Sequence, residues 1–371
     1  MDLSAEDALR LNVLLSGTLE AVRIDESSMT VYALSSKGEA KVKLNPNCRD
    51  ELYLRRVREA LSSHVLGSPG GYPVYLKRWT RMGQARDESL ESLLLLGEPE
   101  AVVAVVNASG LTGELARRAW WASQVPENAR CMLENNAVVQ GDMGRILEDY
   151  LVEYLPVEEE AGASIQSIRL VLQDNLVDEE TKLRIWGRAK HKNAYYAGFL
   201  LAAPDDLPEP VAANRMWEHA CSRLEDTIRS GSGWAAQFCR LLSGSGQTFL
   251  LTFEKALKKP SNQDVVVSLI ESLRAYYGAL RIDSEERRDM GSITDDAESH
   301  VKGERHGEIH QILAVLPELH QEVKSMVALS MVDVPVVNEV FSRTDAIGSL
   351  MRRKLEPVTG PVFELVSGLR N

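Results

Sequence analysis

The chain has 371 residues, of which 44% are hydrophobic and 26% charged, and its net charge at pH 7 is −12. This composition excludes a disordered protein, and the length allows two or three domains that each bury a core. The negative charge disfavours general binding to nucleic acid or to anionic membranes, so an anion site would have to be a local basic patch.

The cysteines and the N-terminal segment predict a cytoplasmic protein. The segment MDLSAEDALRLNVLL carries acidic residues where a signal peptide needs basic ones, and no apolar run approaches the roughly 18 residues of a membrane span. The cysteines form no C-x-x-C pair, which argues against zinc-knuckle and iron–sulfur motifs and indicates a reducing compartment. The four cysteines are Cys48, Cys131, Cys221 and Cys239.

Residues 1–66 predict a small α+β unit with antiparallel hairpins. In the last strand-like run, Ala40, Val42 and Leu44 alternate with charged residues, which is the period of a half-buried antiparallel strand. Gly67 is placed to end the following helix in the left-handed conformation. The predicted elements, in order, are a helix over 3–16, strands over 18–24, 29–34 and 39–44, and a helix over about 49–65.

From about residue 75 onward, the strand signals nearly vanish, and amphipathic segments alternate with short breaks at Gly, Pro and Asp or Asn. Each apolar stripe is too narrow to bury itself, so we expect neighbouring helices to stack into an irregular helical repeat or bundle. The predicted fold class is mainly α, with a helical-repeat-like region over 67–205 and a C-terminal helical region over 206–371. A charged connector is predicted at about 281–310.

The glycine-rich stretch GSPGGYPVYLKRWTRMGQ, residues 67–84, resembles a phosphate-binding loop at first sight. It contains no Gly-Lys pair of the P-loop type, and its glycines do not have the G-x-G-x-x-G spacing of dinucleotide-binding folds. We therefore interpret the glycines and prolines as the end of one helix and a turn of the chain.

Basic and aromatic residues occur together in three stretches of the helical region. A groove lined by them would bind RNA through phosphate contacts and base stacking, or an acidic protein segment. Alternatively, the aromatic rings pack between helices and the cations are solvated or pair with carboxylates. The stretches contain Lys77, Arg78, Trp79 and Arg81; Arg117, Arg118, Trp120 and Trp121; and Lys182, Arg184, Trp186, Arg188, Lys190, Lys192, Tyr195 and Tyr196.

A further basic group, Arg352, Arg353 and Lys354, lies in a helix predicted over 345–357. If the helix stops before Pro357, these cations occupy its last turn, where the helix dipole favours them. The alternative is a contact patch. The sequence contains no DNA-binding motif.

His306 and His310 have the i, i+4 spacing of two zinc ligands on one helix face. No third ligand is assured near them, and Glu308 does not directly follow the first histidine as it does in zinc proteases. We therefore expect solvated histidines, no metal and no cofactor.

Six strings of this sequence together resemble the DsrS family of sulfur-oxidation proteins. The resemblance covers the whole chain, is strongest through about residue 150 and at the C-terminus, and is thinnest over 281–340. It implies a cytoplasmic accessory protein with a regulatory role, which serves oxidation of stored sulfur together with proteins of the reverse-acting dissimilatory sulfite reductase system. It implies no catalytic residues. The strings are MDLSAEDALRLNVLL, LGSPGGYPVYLKRWTRMGQ, ARRAWWAS, TFLLTF, QDVV and IGSLMRRKLEPV.

Two functional hypotheses follow. The first is a non-enzymatic accessory, regulatory or scaffold protein that acts through protein or RNA contacts. The second is an enzyme or sulfur-relay protein with a reactive cysteine. Cys48 is the best candidate for this role, because it precedes Arg49 at a helix start, where positive charge stabilises a thiolate.

Overall fold

The structure is a computed structural model that describes residues 3–73, 87–282, 289–303, 307–343 and 346–370. It is mainly α with a small N-terminal α+β part, as the sequence predicts. The chain forms two compact units, Met1–Tyr154 (unit 1) and Leu155–Asn371 (unit 2).

Unit 1 begins with a helix and one antiparallel sheet, and the described residues contain strands nowhere else. Val31 pairs with Val42 on the neighbouring strand, and both side chains are buried. Ala40, predicted on the same buried face, is exposed, because it lies near the hairpin end of the edge strand. The elements are α1 (Ala5–Leu15), β1 (Leu19–Asp25), β2 (Thr30–Ser35) and β3 (Gly38–Lys43), with strand order β1-β2-β3.

Helix α2 (Asp50–Leu66) follows the sheet and ends at Gly67, which has the predicted left-handed conformation with φ of +68°. Ser4 caps α1 by accepting a hydrogen bond from the backbone amide of Asp7. The carboxylate of Asp7 is fully buried and accepts hydrogen bonds from the Tyr53 hydroxyl and, at 2.8 Å, from the Asn45 amide. Asp7 therefore connects α1 to the end of the sheet and to α2.

The sheet of unit 1 packs against helices that follow it. The amide of Val22 donates to the carbonyl of Leu94 at 2.8 Å, and α5, the helix over Gly113–Ala122, packs on β1. The predicted boundary after residue 66 thus lies inside unit 1. The helices are α3 (Asp87–Leu93), α4 (Pro99–Val106), α5 (Gly113–Ala122), α6 (Pro126–Leu133), α7 (Asn136–Val139) and α8 (Asp142–Tyr154).

All the secondary-structure elements in the described residues of unit 2 are helices. Its helices are α9 (Ala161–Val171), α10 (Glu179–Ala189), α11 (Ala194–Ala202), α12 (Trp217–Arg229), α13 (Gly233–Leu242), α14 (Gly244–Lys258), α15 (Gln263–Tyr277), α16 (Met290–Lys302), α17 (Gly307–Val315), α18 (His320–Met331), α19 (Val334–Phe341) and α20 (Gly348–Arg370). Helix α11 is buried on all sides because it packs against α9, α14 and α15.

The acidic, proline-rich segment after α11 is tied to its surroundings. Asp205 accepts two hydrogen bonds from Arg240, at 2.9 and 2.6 Å, and the Val211 amide donates to the Thr248 hydroxyl at 3.0 Å. These contacts hold the segment against α13 and α14. The predicted boundary at residue 205 therefore lies inside unit 2.

Two further segments of unit 2 differ from the expectation. Within the predicted connector 281–310, α16 buries Ile293, Ala297 and Val301, so this part is a packed helix. Helix α20 contains two prolines and continues beyond Pro357 to Arg370. The apolar side chains that α20 buries in its second half offset the cost of interrupting its hydrogen bonds, which is about 3 kcal/mol per proline.

Candidate anion-binding face

The first predicted basic stretch, with Lys77, Arg78, Trp79 and Arg81, lies outside the described residues. The predicted meeting of this stretch with Arg117 and Arg118 therefore stays a prediction. The remaining candidates are described in turn, first in unit 1 and then in unit 2.

Arg117 and Arg118 of α5 lie close together, but both pair with carboxylates. Arg117 binds Glu114 and Glu20, each at 2.7 Å, and Arg118 binds Glu114 at 2.8 Å and lies 3.7 Å from Glu91. The bonds from Arg117 and Arg118 lower the pKa of Glu114 from 4.5 to about 2. These arginines therefore carry no uncompensated positive charge, as the alternative reading of the sequence states.

The two tryptophans of α5 point to different environments. Trp120 is buried and meets Tyr150 edge-to-face, with 4.8 Å between ring centroids. Trp121 is half-buried, donates to Glu39 at 3.0 Å and lies beneath the Arg23 guanidinium at 4.9 Å. Both rings are thus used in contacts within unit 1.

In the third basic and aromatic stretch, too, the aromatic rings are buried and a cation pairs with carboxylates. Trp186, Tyr195 and Tyr196 are buried, and the Trp186 ring meets Tyr196 edge-to-face at 5.0 Å. Lys182 pairs with Asp206 and Glu179. One cation of this stretch, Lys190, belongs to a different group of residues in unit 2.

That group is a set of cations from three helices that line two neighbouring cavities of unit 2. The larger cavity has a volume of about 550 Å³ and the smaller about 290 Å³, and Lys258 lines both. We call this set the basic face. Its members are Lys190 after α10; Lys255, Lys258 and Lys259 at the end of α14; and Arg352, Arg353 and Arg370 of α20.

Carboxylates compensate only part of the basic face. Glu254 pairs with Lys258 at 2.5 Å and also with Arg370, and Glu209 pairs with Lys190 at 3.2 Å. Glu356 lines the smaller cavity. Among the residues that the structure describes, no carboxylate forms an ion pair with the other four cations, which are Lys255, Lys259, Arg352 and Arg353.

Lys255 and the end of α14 are held in place by α11 and its preceding residue. The ammonium of Lys255 donates to the Tyr196 hydroxyl at 2.7 Å and lies 4.7 Å from the centre of its ring. The Asn193 amide donates to the carbonyls of Ala256 and Lys259 where α14 ends, and the Ala256 carbonyl also accepts a bond from the backbone amide of Lys259 at 3.4 Å.

The position of Arg352 and Arg353 overturns the dipole explanation of these residues. Because α20 begins at Gly348 and ends at Arg370, both arginines lie in its second turn and not in its last. The helix dipole favours anions near the N-terminus, so it does not account for arginines there. Lys354, on the same turn, lines a separate cavity of about 430 Å³ together with Arg343 and Glu339.

Sequence reasoning missed Lys255, Lys258, Lys259 and Arg370. The string EKALKKP over 254–260 contains three lysines at the end of a helix, which is a signal for a local basic patch. Arg370 gave no such signal, because only the fold brings the end of α20 to the end of α14.

The described candidate histidine and the four cysteines all have contacts within the protein or are at least half-buried. His306 lies outside the described residues, and a ring nitrogen of His310 is 2.5 Å from the Gly303 carbonyl oxygen. Burial raises the pKa of the thiols of Cys131, Cys221 and Cys239. Cys48 is half-buried, and its Sγ accepts a contact of 3.7 Å from the Arg56 guanidinium.

Within the described ranges, no set of three or more His, Cys, Asp or Glu side chains is arranged to hold a metal ion. None of the helices in the described part of the chain combines the length and apolar character needed to cross a bilayer. Comparison of the chain with protein-family models, curated proteins and solved structures identifies no match.

Proposed function

We propose that this protein is a non-enzymatic accessory or regulatory protein that binds an acidic partner protein through the basic face. The observation that carries the proposal is the convergence of seven cations from three helices on a chain of net charge −12. Four of these cations form no ion pair with a carboxylate of the described residues. The role in cytoplasmic sulfur oxidation is supported by the resemblance to the DsrS family alone.

The electrostatics favour a partner that is locally anionic. Like charges that lie together raise the free energy of the folded chain, and an anionic partner relieves that repulsion when it binds. Complementary charge also speeds association and makes binding sensitive to salt. Arg352 and Arg353 line the smaller cavity, and because Arg353 is exposed and Arg352 half-buried, a partner segment has access to them.

The aromatic residues of the basic face favour a protein partner over RNA. Single-stranded RNA is bound through aromatic rings on which bases stack. The Tyr196 ring is 98% buried, with Lys255 over it and Trp186 against it. Phe363 lies 6.0 Å from the Lys258 ammonium and is half-buried. Tyr196 therefore provides no open stacking surface, and Phe363, which lines the smaller cavity, is exposed only in part.

The test measures binding of a fluorescein-labelled polyglutamate peptide and of a labelled oligouridylate by fluorescence anisotropy. We expect the peptide to bind with strong salt dependence, and the double reversal Arg352→Glu with Arg353→Glu to weaken it by about tenfold or more. The matched control reverses Lys37 and Arg55, which are exposed cations of unit 1.

Three results would count against the proposal. The first is an equal loss of peptide binding in the control variant, which would mean that the net charge of the chain alone sets the affinity for the peptide. The second is the absence of peptide binding at low salt. The third is tighter binding of the oligouridylate that depends on the same two arginines, which would assign the face to RNA.

A second candidate function, sulfur relay by Cys48, is favoured by its contact with Arg56, because a neighbouring guanidinium stabilises a thiolate. Thiol labelling separates the two candidates. A single fast-reacting cysteine that disappears in Cys48→Ser supports the relay. Uniformly slow labelling of all four cysteines supports the binding protein.

A further inference from the structure

We propose that the larger cavity of the basic face is a binding site for a small organic molecule that carries one phosphate monoester. This inference concerns Lys190, Lys255, Lys259 and Arg370, and it does not depend on partner binding through Arg352 and Arg353. The volume of about 550 Å³ lies in the range of small-molecule sites, and Ala189 and Leu251 form part of its wall.

The charge of the cavity can be compared with that of a ligand. Five cations line it, and two carboxylates, Glu254 and Glu209, pair with three of them, which leaves an excess of three positive charges. Three helices also end here: Lys190 follows α10, Lys259 follows α14, and Arg370 is the last residue of α20.

Each helix C-terminus contributes about half a negative charge, and the N-terminus of α11, which follows the cavity residue Asn193, contributes about half a positive charge. The helix ends together therefore offset roughly one of the three charges. The remainder, roughly two positive charges, matches the charge of about −1.5 to −2 on a phosphate monoester near neutral pH. The helix dipoles therefore account for some of the cations at this cavity, and a single phosphate group accounts for the rest.

The cationic side chains of the cavity are also held in position before a ligand binds. Lys255 is fixed by the hydroxyl and ring of Tyr196, and Tyr196 is itself held by its edge-to-face contact with Trp186. Asn193 fixes the end of α14, from which Lys259 projects. A cation that is already ordered loses less conformational entropy when it binds an anion. The volume is larger than one phosphate needs, so the site has room for the organic part of a ligand.

The test is isothermal titration of the full chain with adenosine 5′-monophosphate, ribose 5-phosphate, adenosine, inorganic phosphate and sulfate. We expect the two phosphate esters to bind, adenosine not to bind, and inorganic phosphate and sulfate to bind at least about tenfold more weakly than the esters, because they lack contacts with the cavity wall. This pattern separates recognition of a phosphate ester from general attraction of anions.

Variants assign the binding to the cavity. Lys255→Gln with Lys259→Gln is expected to weaken ester binding by about tenfold or more, since two charge-assisted contacts are lost. The matched control is Lys37→Gln with Lys302→Gln, two exposed lysines that do not line the cavity. Tyr196→Phe keeps every charge and removes the hydroxyl that holds Lys255, and we expect a smaller loss, by about threefold to tenfold. Thermal unfolding of each variant checks that it folds.

Absence of ester binding at millimolar concentration overturns the proposal, and so does equal binding of sulfate and of the esters. Binding that both lysine double variants weaken equally also overturns it. The reversal of Arg352 and Arg353 separates this proposal from the proposed function. It should weaken peptide binding by about tenfold or more and leave ester binding within about threefold, because both arginines line the smaller cavity and neither lines the larger one.

Discussion

The arginine pair of α5 in unit 1 and the basic face of unit 2 contain the same kind of residue in opposite surroundings. Arg117 and Arg118 share Glu114 and are also close to Glu20 and Glu91, so carboxylates outnumber these arginines. In the basic face, cations outnumber carboxylates, and Arg352 and Arg353 have no ion pair among the described residues. The comparison shows that a basic string in the sequence keeps an excess of positive charge only where the fold does not also bring carboxylates to it.

The largest expected effects come from reversing the charge of two arginine pairs, Arg117 with Arg118 in unit 1 and Arg352 with Arg353 in unit 2. Arg117→Glu with Arg118→Glu places two more carboxylates beside Glu114, so we expect the free energy of unfolding to fall by about 1–3 kcal/mol. Arg352→Glu with Arg353→Glu breaks no ion pair with a described residue, so we expect the free energy of unfolding to change by no more than about 0.5 kcal/mol, while peptide binding weakens by about tenfold or more. Urea unfolding followed by circular dichroism measures the first quantity, and anisotropy measures the second.

A stable Arg117→Glu, Arg118→Glu variant that no longer binds the peptide would break the comparison. It would show that the ion-paired arginines of unit 1, and not the basic face, contact the partner. A strongly destabilised Arg352→Glu, Arg353→Glu variant would equally indicate that these two arginines serve the fold of α20.

The fold was largely predictable from the sequence because local patterns decide most of it. The alternation before Leu44, the cap at Ser4 and the glycine at position 67 each indicate a local conformation that tertiary packing does not override. The end of α20 was not predictable in this way. Pro357 normally indicates a helix end, but burial of Val358 and Val362 carries the helix past it.

The candidate site was predictable only in part, for a different physical reason. The sequence shows where cations occur, and Arg352 and Arg353 stand out in it as a basic group. Whether an arginine is compensated depends on carboxylates that are distant in sequence, such as Glu20 for Arg117. The meeting of Lys190, the end of α14 and Arg370 also depends on how helices stack, so no local pattern predicts it.

An effect of intermediate size on anion affinity is expected from neutralising Glu254, which pairs with cations of the basic face, compared with neutralising Glu114 beside the arginine pair of α5. Glu254→Gln removes the negative charge that pairs with Lys258 and Arg370, so we expect peptide and phosphate-ester affinity to rise by about threefold to tenfold at low salt. Glu114→Gln should leave both affinities within about twofold, since Arg117 and Arg118 keep other carboxylates nearby. Titrations of both variants at two salt concentrations provide the measurement.

An unchanged affinity in Glu254→Gln would indicate that Lys258 and Arg370 do not contact the anion. Lys255 and Lys259 would then be the cations of the larger cavity that bind the anion. An affinity gain of equal size in Glu114→Gln would instead show that the net charge of the whole chain, and not the local group, sets the affinity.

The smallest expected effect is a pH dependence that belongs to unit 1. Hydrogen bonds from Arg117 and Arg118 lower the pKa of Glu114 from 4.5 to about 2, so the folded state binds this proton less readily than the unfolded chain. The stabilisation is therefore fully present above about pH 4.5 and is lost as the pH falls toward 2. Because the side chain is half exposed, we expect solvent screening to limit this contribution to about 0.5–1 kcal/mol. Glu114→Gln should therefore be less stable than the parent chain at pH 6, and the difference should vanish near pH 2. Urea unfolding across this range measures the difference, and a constant gap between the two chains at all pH values would show that Glu114 stabilises α5 through packing and not through its charge.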